Sequence, residues 1–425
     1  MADWSGRRLH FIGIGGAGMS GLALVAARLG AEVTGSDRAE STYIERLRAS
    51  GLEPAIGHGT ENLPEGSEVV VSTAIDEANP ELALAREREQ AVIHRGQLLA
   101  ELCAERRLIA IAGTHGKTTT TAMIVWALRA VGADPAFFLG GELPGADGDE
   151  NAGWGEGEWV VAEADESDAS FLRLAPEVAV ITNVEMDHHS RWSSVAELRE
   201  AFESFAAEAK GVAVGPGVDL DLTAEPLHFD ERAPGPELEL GIPGRHNRLN
   251  ARAALAALEL AGFDLEPAAE ALRDFPGVRR RLELKGTRAG ARIYDDYAHH
   301  PTEVRAALEA LRDLQPRRLW AVFQPHLYSR TKALAEDFGE ALSIADEVGV
   351  LDVYAAREEP VGELAGVSGF QVAEAAADRG GGRPVWWLVD ADRAAAALGP
   401  RLEEGDLLVT IGAGDIFELA ERLAE

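Results

Sequence analysis

Two glycine-rich loops of the kind that hold phosphate, about 100 residues apart, constrain this chain more than any other feature. The second, Gly113-Thr114-His115-Gly116-Lys117-Thr118-Thr119, lies between an apolar run, Leu108 to Ala112, and a helical pattern from Thr120 to Val131. Glycines let a backbone approach a polyphosphate, and the N–H groups at a helix start complement its charge. Lys117 adds a positive charge, and the Thr118 hydroxyl can reach Mg²⁺. The chain has 36 Arg but only four Lys, so a lysine here is not incidental. The strict GxxxxGK[ST] pattern fails, because Ile111 stands where its first glycine belongs. What remains, GTxGKT, is a shorter variant that predicts a nucleoside-triphosphate site, with a solvated helix start as the alternative.

The first loop, Gly13-Ile14-Gly15-Gly16-Ala17-Gly18, matches GxGxxG after an apolar run, with Asp37 some 20 residues on. Alone it predicts a dinucleotide and a nicotinamide-linked oxidoreductase. That reading leaves Lys117 unexplained, whereas a nucleotide diphosphate bound without redox chemistry uses the same backbone physics. A tight turn without a ligand is the third reading.

Strand-like runs alternate with helical patterns nearly throughout, which predicts α/β domains with mostly parallel sheets. A length of 425 residues suits two or three domains. We expect them at residues 1–104, 105–277 and 278–425, the last boundary falling at Phe275-Pro276-Gly277. The Gly-rich acidic stretch from Gly140 to Gly157 reads as an exposed loop. Apolar content of 46% without a long apolar run predicts a soluble protein with no membrane insertion. The lone Cys103 excludes an internal disulfide and fits the cytoplasm. A net charge of −32 argues against nucleic acid as a partner.

Further polar groups crowd the ends of predicted strands, where open parallel sheets bind ligands. Glu163-Ala164-Asp165-Glu166-Ser167-Asp168 follows the strand Trp159 to Ala162. A carboxylate there can hold Mg²⁺ on a transferring phosphoryl group, and a divalent ion would relieve the crowding of four acids. His188, after another strand, can complete a Mg²⁺ shell or be an ordinary loop histidine. Asn247, before the helix from Leu249, fits helix capping or a contact to a nucleotide base. Asp295-Asp296-Tyr297-Ala298-His299-His300-Pro301 and Gln324-Pro325-His326-Leu327-Tyr328-Ser329-Arg330 sit at two more strand ends. Asp415 reads as a cap for the last helix.

With these motifs in order, the chain resembles the Mur ligases, ATP-dependent amide-forming enzymes of peptidoglycan precursor synthesis. GTHGKTTTTAM, EADESDASF and GRHNRLNARAA carry the likeness, together with GIGGAGMSGLA, DDYAHHPTEV and FQPHLYSRT. The resemblance implies a Rossmann-like N-terminal domain for the UDP moiety, a central P-loop ATPase domain, and a Rossmann-like C-terminal domain that closes over ATP and brings the amino acid. It implies UDP-N-acetylmuramate and L-alanine as substrates, ATP and Mg²⁺ as cofactors, and a monomer or homodimer. A murein-peptide-recycling ligase, taking a tripeptide instead, is the alternative within the family. By the same resemblance Gly15, Gly16, Gly18 and Asp37 lie near the UDP-sugar. Gly113, Thr114, His115, Gly116, Lys117, Thr118 and Thr119 take the ATP phosphates. Thr118, Glu163 and His188 serve Mg²⁺, Asn247 the adenine and Asp296 the ribose, while His299, His300 and Arg330 reach the reacting groups. His188 or His299 is the general base. Several relatives carry a modified lysine where rough alignment finds Phe202, with no lysine before Lys210.

Overall fold

A computed structural model describes residues 4–145, 148–186, 192–356 and 358–424. Three successive stretches each build a sheet, giving the three-domain α/β architecture. The first two sheets belong to one compact unit, Met1–Glu239 with Leu249–Phe275, and the third to another, Leu240–Arg248 with Pro276–Glu425. Among the described residues no helix is long and apolar enough to cross a membrane.

The N-terminal sheet is wholly parallel, in the order β3-β2-β1-β4-β5. Its strands are β1 (Arg8–Ile12), β2 (Glu32–Asp37), β3 (Ala55–Ile56), β4 (Glu68–Val71) and β5 (Val92–His94). Helices α1 (Ala17–Arg28), α2 (Thr42–Ala49), α3 (Pro80–Glu87) and α4 (Arg95–Cys103) connect or follow them. The order reverses between β1 and β4, so the first glycine loop, at the end of β1, lies at the topological switch point.

The central sheet runs β12-β11-β10-β6-β9-β7-β8. It comprises β6 (Arg107–Ala112), β7 (Ala136–Gly145), β8 (Gly148–Trp154), β9 (Trp159–Glu163), β10 (Val178–Ile181), β11 (Gly211–Val214) and β12 (Leu227–His228). Its helices are α5 (Lys117–Ala130), α6 (Val195–Ala206), α7 (Arg245–Ala261) and α8 (Leu265–Leu272). Strand β6 and its neighbours read LIAIA, VAVI and WVVA because both faces of a parallel sheet are covered. The stretch expected as an exposed loop, Gly140 to Gly157, is instead largely an antiparallel hairpin, β7 with β8. Packing overrides its poor strand propensity: buried Asn151 donates from Nδ2 to the Ala17 carbonyl (2.6 Å) and the Ser20 hydroxyl (3.0 Å) of α1.

In the C-terminal unit the order is β13-β14-β18-β15-β16-β17, with only β13 antiparallel to its neighbour. These strands are β13 (Glu283–Arg288), β14 (Ala291–Asp296), β15 (Leu319–Phe323), β16 (Glu347–Leu351), β17 (Val385–Val389) and β18 (Leu407–Ile411). Helices α9 (Pro301–Arg312), α10 (Tyr328–Leu342), α11 (Gly369–Arg379), α12 (Ala391–Leu398) and α13 (Phe417–Ala424) intervene or follow. Because β14, β18 and β15 are neighbours, the three motif loops that follow them lie side by side.

Candidate active site

Strand β6 lies between β9 and β10, so the second glycine loop emerges at the middle of the central sheet. Gly113 has φ +126°, and a Cβ there would overlap the Thr182 hydroxyl. Gly116 has φ +83° and starts α5, its missing Cβ leaving room for Asn250 Oδ1 at 2.5 Å. Only glycine adopts these conformations without strain. The loop is pinned from β10: His115 N–H donates to Asn183 Oδ1 (2.9 Å), and the Thr182 hydroxyl donates to the His115 carbonyl (2.6 Å). Thr182, Asn183 and Asn250 thus shape the phosphate loop without belonging to its motif.

Lys117 Nζ donates to the Gly113 carbonyl (2.6 Å) and to both oxygens of Glu166 (2.8 and 3.1 Å). Burial works against its charge, but Glu166, Asp165 and Glu163 outweigh that and hold its pKa above the ordinary lysine value. The Thr118 hydroxyl donates to Glu163 Oε2 (3.1 Å), whose other oxygen accepts from Gly140 N–H (2.6 Å). A hydroxyl and a carboxylate so placed are hard oxygen donors, which fit Mg²⁺. His188 lies outside the described residues.

The acidic turn after β9 is not relieved by a divalent ion alone. Lys117 takes Glu166, and Arg95 takes Asp165 (2.8 Å) and Asp168 (3.0 Å). Burial would raise Asp165, yet Lys117 and Arg95 hold it at about 2. Phe202, at the position compared with a modified lysine, is fully buried with its ring 5.4 Å from Phe171. That site is core packing and offers no metal ligand. Lys210 is exposed and pairs with Glu177.

In the first loop, Gly13 and Ile14 donate N–H bonds to the Ser36 carbonyl (2.8 and 3.0 Å), and Gly15 N–H donates to Asp37 Oδ2 (2.8 Å). Asp37 therefore braces the loop. Beneath it, fully buried Glu81 accepts from the Ser36 hydroxyl (2.6 Å), Gly59 N–H (2.9 Å) and Asn62 (2.9 Å), with His10 Nε2 at 3.1 Å. Burial opposes its charge, but these bonds, that from His10 foremost, hold it at about 2.

The C-terminal loops behave differently. Both oxygens of Asp296 accept backbone N–H groups, from Leu282 (2.7 Å) and Ala298 (2.8 Å), yet burial pushes its pKa up to about 6. His299 is driven down to about 4 by burial, reinforced by Arg330 and opposed by Glu303. Its Nδ1 faces the Tyr297 carbonyl (3.1 Å), an acceptor only, so the neutral ring keeps its proton there and leaves Nε2 unprotonated. His300, expected at the reacting groups, also serves the helix, since its Nδ1 accepts from Thr302 N–H and caps α9, in a capping box with Glu303. Asn247 is not the N-cap of α7 but lies inside its first turn, with Nδ2 on the Pro243 carbonyl (2.6 Å). The Asp415 carboxylate accepts from Gln324 Nε2 (2.8 Å). Arg330 lies 3.5 Å from His326 Nδ1, in the first turn of α10.

Side chains cap α2, α3, α4, α6, α8, α9, α11 and α12. The N-cap residues of α1 and α5, the helices that follow the two glycine loops, make no such bond, whereas the start of α10 is held by Glu358, whose carboxylate accepts from Ser329 N–H (2.9 Å). Uncapped N–H groups are what a helix offers an anion.

Family models match nearly the whole chain in the same order as its sheets. The Mur ligase family catalytic domain matches residues 8–107, the Mur ligase middle domain 111–225, and the Mur ligase glutamate ligase domain 280–414. The chain belongs to the Mur ligase family. It is 44% identical to the UDP-N-acetylmuramate–L-alanine ligase of Streptomyces coelicolor, over 98% of this chain and 97% of that protein. The crystal structure of UDP-N-acetylmuramate-alanine ligase from Thermotoga maritima superposes with a TM-score of 0.83 at 28% identity, covering 98% of both chains. A murein peptide ligase from Psychrobacter arcticus shares the fold, with a TM-score of 0.70 at 24% identity over 98% of both chains.

Proposed function

We infer that this chain is an ATP-dependent ligase that joins L-alanine to the lactyl carboxylate of UDP-N-acetylmuramate, a step of peptidoglycan precursor synthesis in the cytoplasm. The observation that carries the ATP chemistry is the gathering of Lys117, Thr118 and Glu163 at the carboxyl end of β6. Near-full-length likeness to ligases of that name carries the choice of substrates. The three domains are assigned to residues 1–104, 105–277 and 278–425.

The mechanism follows from charge. A carboxylate is a poor electrophile, so the lactyl group must first take the γ-phosphoryl of ATP and become an acyl phosphate. Both reactants are anions. Lys117 and the N–H groups of residues 113–119 offset that repulsion and the charge spread during transfer. Thr118 and Glu163, with His188 assigned by family likeness, would hold Mg²⁺, which supplies further charge neutralisation on the phosphates. Gly15, Gly16 and Gly18 present backbone to the UDP diphosphate, and Asp37 keeps that loop in shape. The neutral amine of alanine then attacks the acyl carbon and phosphate leaves. Arg330, in the first turn of α10, is assigned to the carboxylate of the amino acid, which a guanidinium binds through two parallel N–H bonds. His299, neutral with Nε2 free of its proton, is assigned to accept the ammonium proton. Asn247 and Asp296 are assigned to the nucleoside by family likeness.

The test is phosphate release from ATP and Mg²⁺ with UDP-N-acetylmuramate, comparing L-alanine with L-Ala-γ-D-Glu-meso-diaminopimelate. Release with L-alanine is expected. Release with the tripeptide alone would move the protein to the recycling branch of the family.

A further inference from the structure

One side chain outside both glycine motifs touches the surroundings of both. Arg95 opens α4 directly after β5 of the N-terminal sheet. Its Nη2 donates to Asp165 Oδ2 (2.8 Å) and Asp168 Oδ2 (3.0 Å) on the acidic turn of the central sheet. Its Nη1 lies against the first glycine loop, where a Cβ on Gly18 would come within 3.1 Å of it. Glu166, in the middle of that acidic turn, holds Lys117 of the second loop. The sequence of contacts is therefore Gly18, Arg95, Asp165 with Asp168, Glu166, Lys117.

Neighbouring contacts keep this seam tight. His94 Nδ1 accepts from Gly96 N–H (3.1 Å), which leaves the ring proton on Nε2, 3.7 Å from Asp168 Oδ2. Gly96 packs so close to Ser170 that a Cβ would overlap its side chain. One terminal nitrogen of the guanidinium serves both carboxylates while the other stays beside Gly18, a span that the single nitrogen of an ammonium does not have.

We propose that Arg95 is a positioning residue that couples occupancy of the two phosphate loops. The proposal rests on the assignment of the first loop to the UDP-sugar and the second to ATP. A ligand on the first loop fixes Gly18 and hence Arg95, which fixes the acidic turn and the Glu166 that aims Lys117. Whichever ligand binds first orders this bridge, so the other binds more tightly. Linkage makes the effect reciprocal.

Calorimetric titration of the whole protein with UDP-N-acetylmuramate and with the Mg²⁺ complex of a non-hydrolysable ATP analogue tests this, each alone and with the other saturating. The wild type should show each ligand tightening the other by about 5-fold or more. Arg95→Lys keeps the charge and loses the second nitrogen beside Gly18, and should bring that factor close to unity; Asp168→Asn keeps Arg95 on Asp165 and should lower the factor in part. A merely structural role would lower the melting temperature and both affinities while leaving the factor, a ratio, unchanged. A factor retained in both variants, or absent from the wild type, overturns the coupling. A wild type that fails to bind UDP-N-acetylmuramate overturns the functional assignment itself and this proposal with it.

Discussion

Ionisable groups at the phosphate loops and at the C-terminal loops have been pushed in opposite directions. Around the second glycine loop, Lys117 is held above its ordinary pKa and Asp165 at about 2 beside Lys117 and Arg95, with Glu166, raised by burial, the exception. Under the first loop Glu81, fully buried, is also held near 2. At the C-terminal loops, burial wins over the charges nearby and favours neutrality. His299 falls to about 4, and Asp296 rises to about 6. Opposite charges or hydrogen-bond donors on the carboxylate make the first pattern, and desolvation that outweighs the nearby charges, Glu303 at 3.5 Å from His299 among them, makes the second. The difference separates two demands of one reaction. Moving a phosphoryl group between anions needs fixed charge, and taking a proton from an ammonium group needs a neutral base.

The largest effect should come from deleting fixed charge. Lys117→Ala is expected to lower kcat for phosphate release by about 10³-fold, since it removes the cation at the phosphate loop. The KM for UDP-N-acetylmuramate should move far less in the same assay, because Lys117 is absent from the first loop. Equal loss in both would erase the division between the loops. Next come Thr118→Ala and Glu163→Gln, each expected to cost about 10²-fold in kcat. Both should also raise the Mg²⁺ concentration for half-maximal rate, and an unchanged Mg²⁺ titration would remove this pair from the metal site.

Much of this arrangement is legible in the sequence because glycine, lysine and strand-end acids leave local signatures. The three units and both loops follow from an apolar run, a Gly-rich turn and a helical pattern in series, and the family likeness sets Thr118 beside Glu163. The partners that shape the loops are not legible. Thr182, Asn183, Glu166 and Arg95 reach the second loop or its acidic turn across 49 to 70 residues of chain, and no local pattern announces a bond between strands. His300 carries a second signature: a histidine before Pro301 and three residues from Glu303 is also a helix cap, a role that the DYAHHP motif overshadows. The hairpin at β7 and β8 escapes a local reading because its stability comes from α1, far away in sequence.

Stability should follow the same division. The native pKa of Glu81 lies below its ordinary value of 4.5, so its contribution is fully present above pH 4.5 and is lost as pH falls towards 2. Its loss corresponds to about 3 kcal/mol at neutral pH. Glu81→Gln should therefore unfold more readily at pH 7 and show a flatter denaturation midpoint between pH 4.5 and pH 2. An unaltered pH profile would mean that its charge contributes little to the fold.

The smallest expected effect is a near absence of change, and it bears on the base. A histidine at its ordinary value of 6.5 is mostly neutral at pH 7 and mostly protonated at pH 5.5, which would cut kcat by about eightfold. His299 at about 4 stays neutral over that interval, so kcat should change by less than about twofold and fall only as pH approaches 4. The sign follows from the role, since a protonated ring cannot accept the ammonium proton. Measuring kcat at saturating substrates from about pH 7 to about pH 4.5 separates the two outcomes. A fall centred near 6.5 would take the base away from buried His299 and give it to a solvated histidine. The contrast between a charged phosphate site and a neutral proton-accepting one would then no longer include the base.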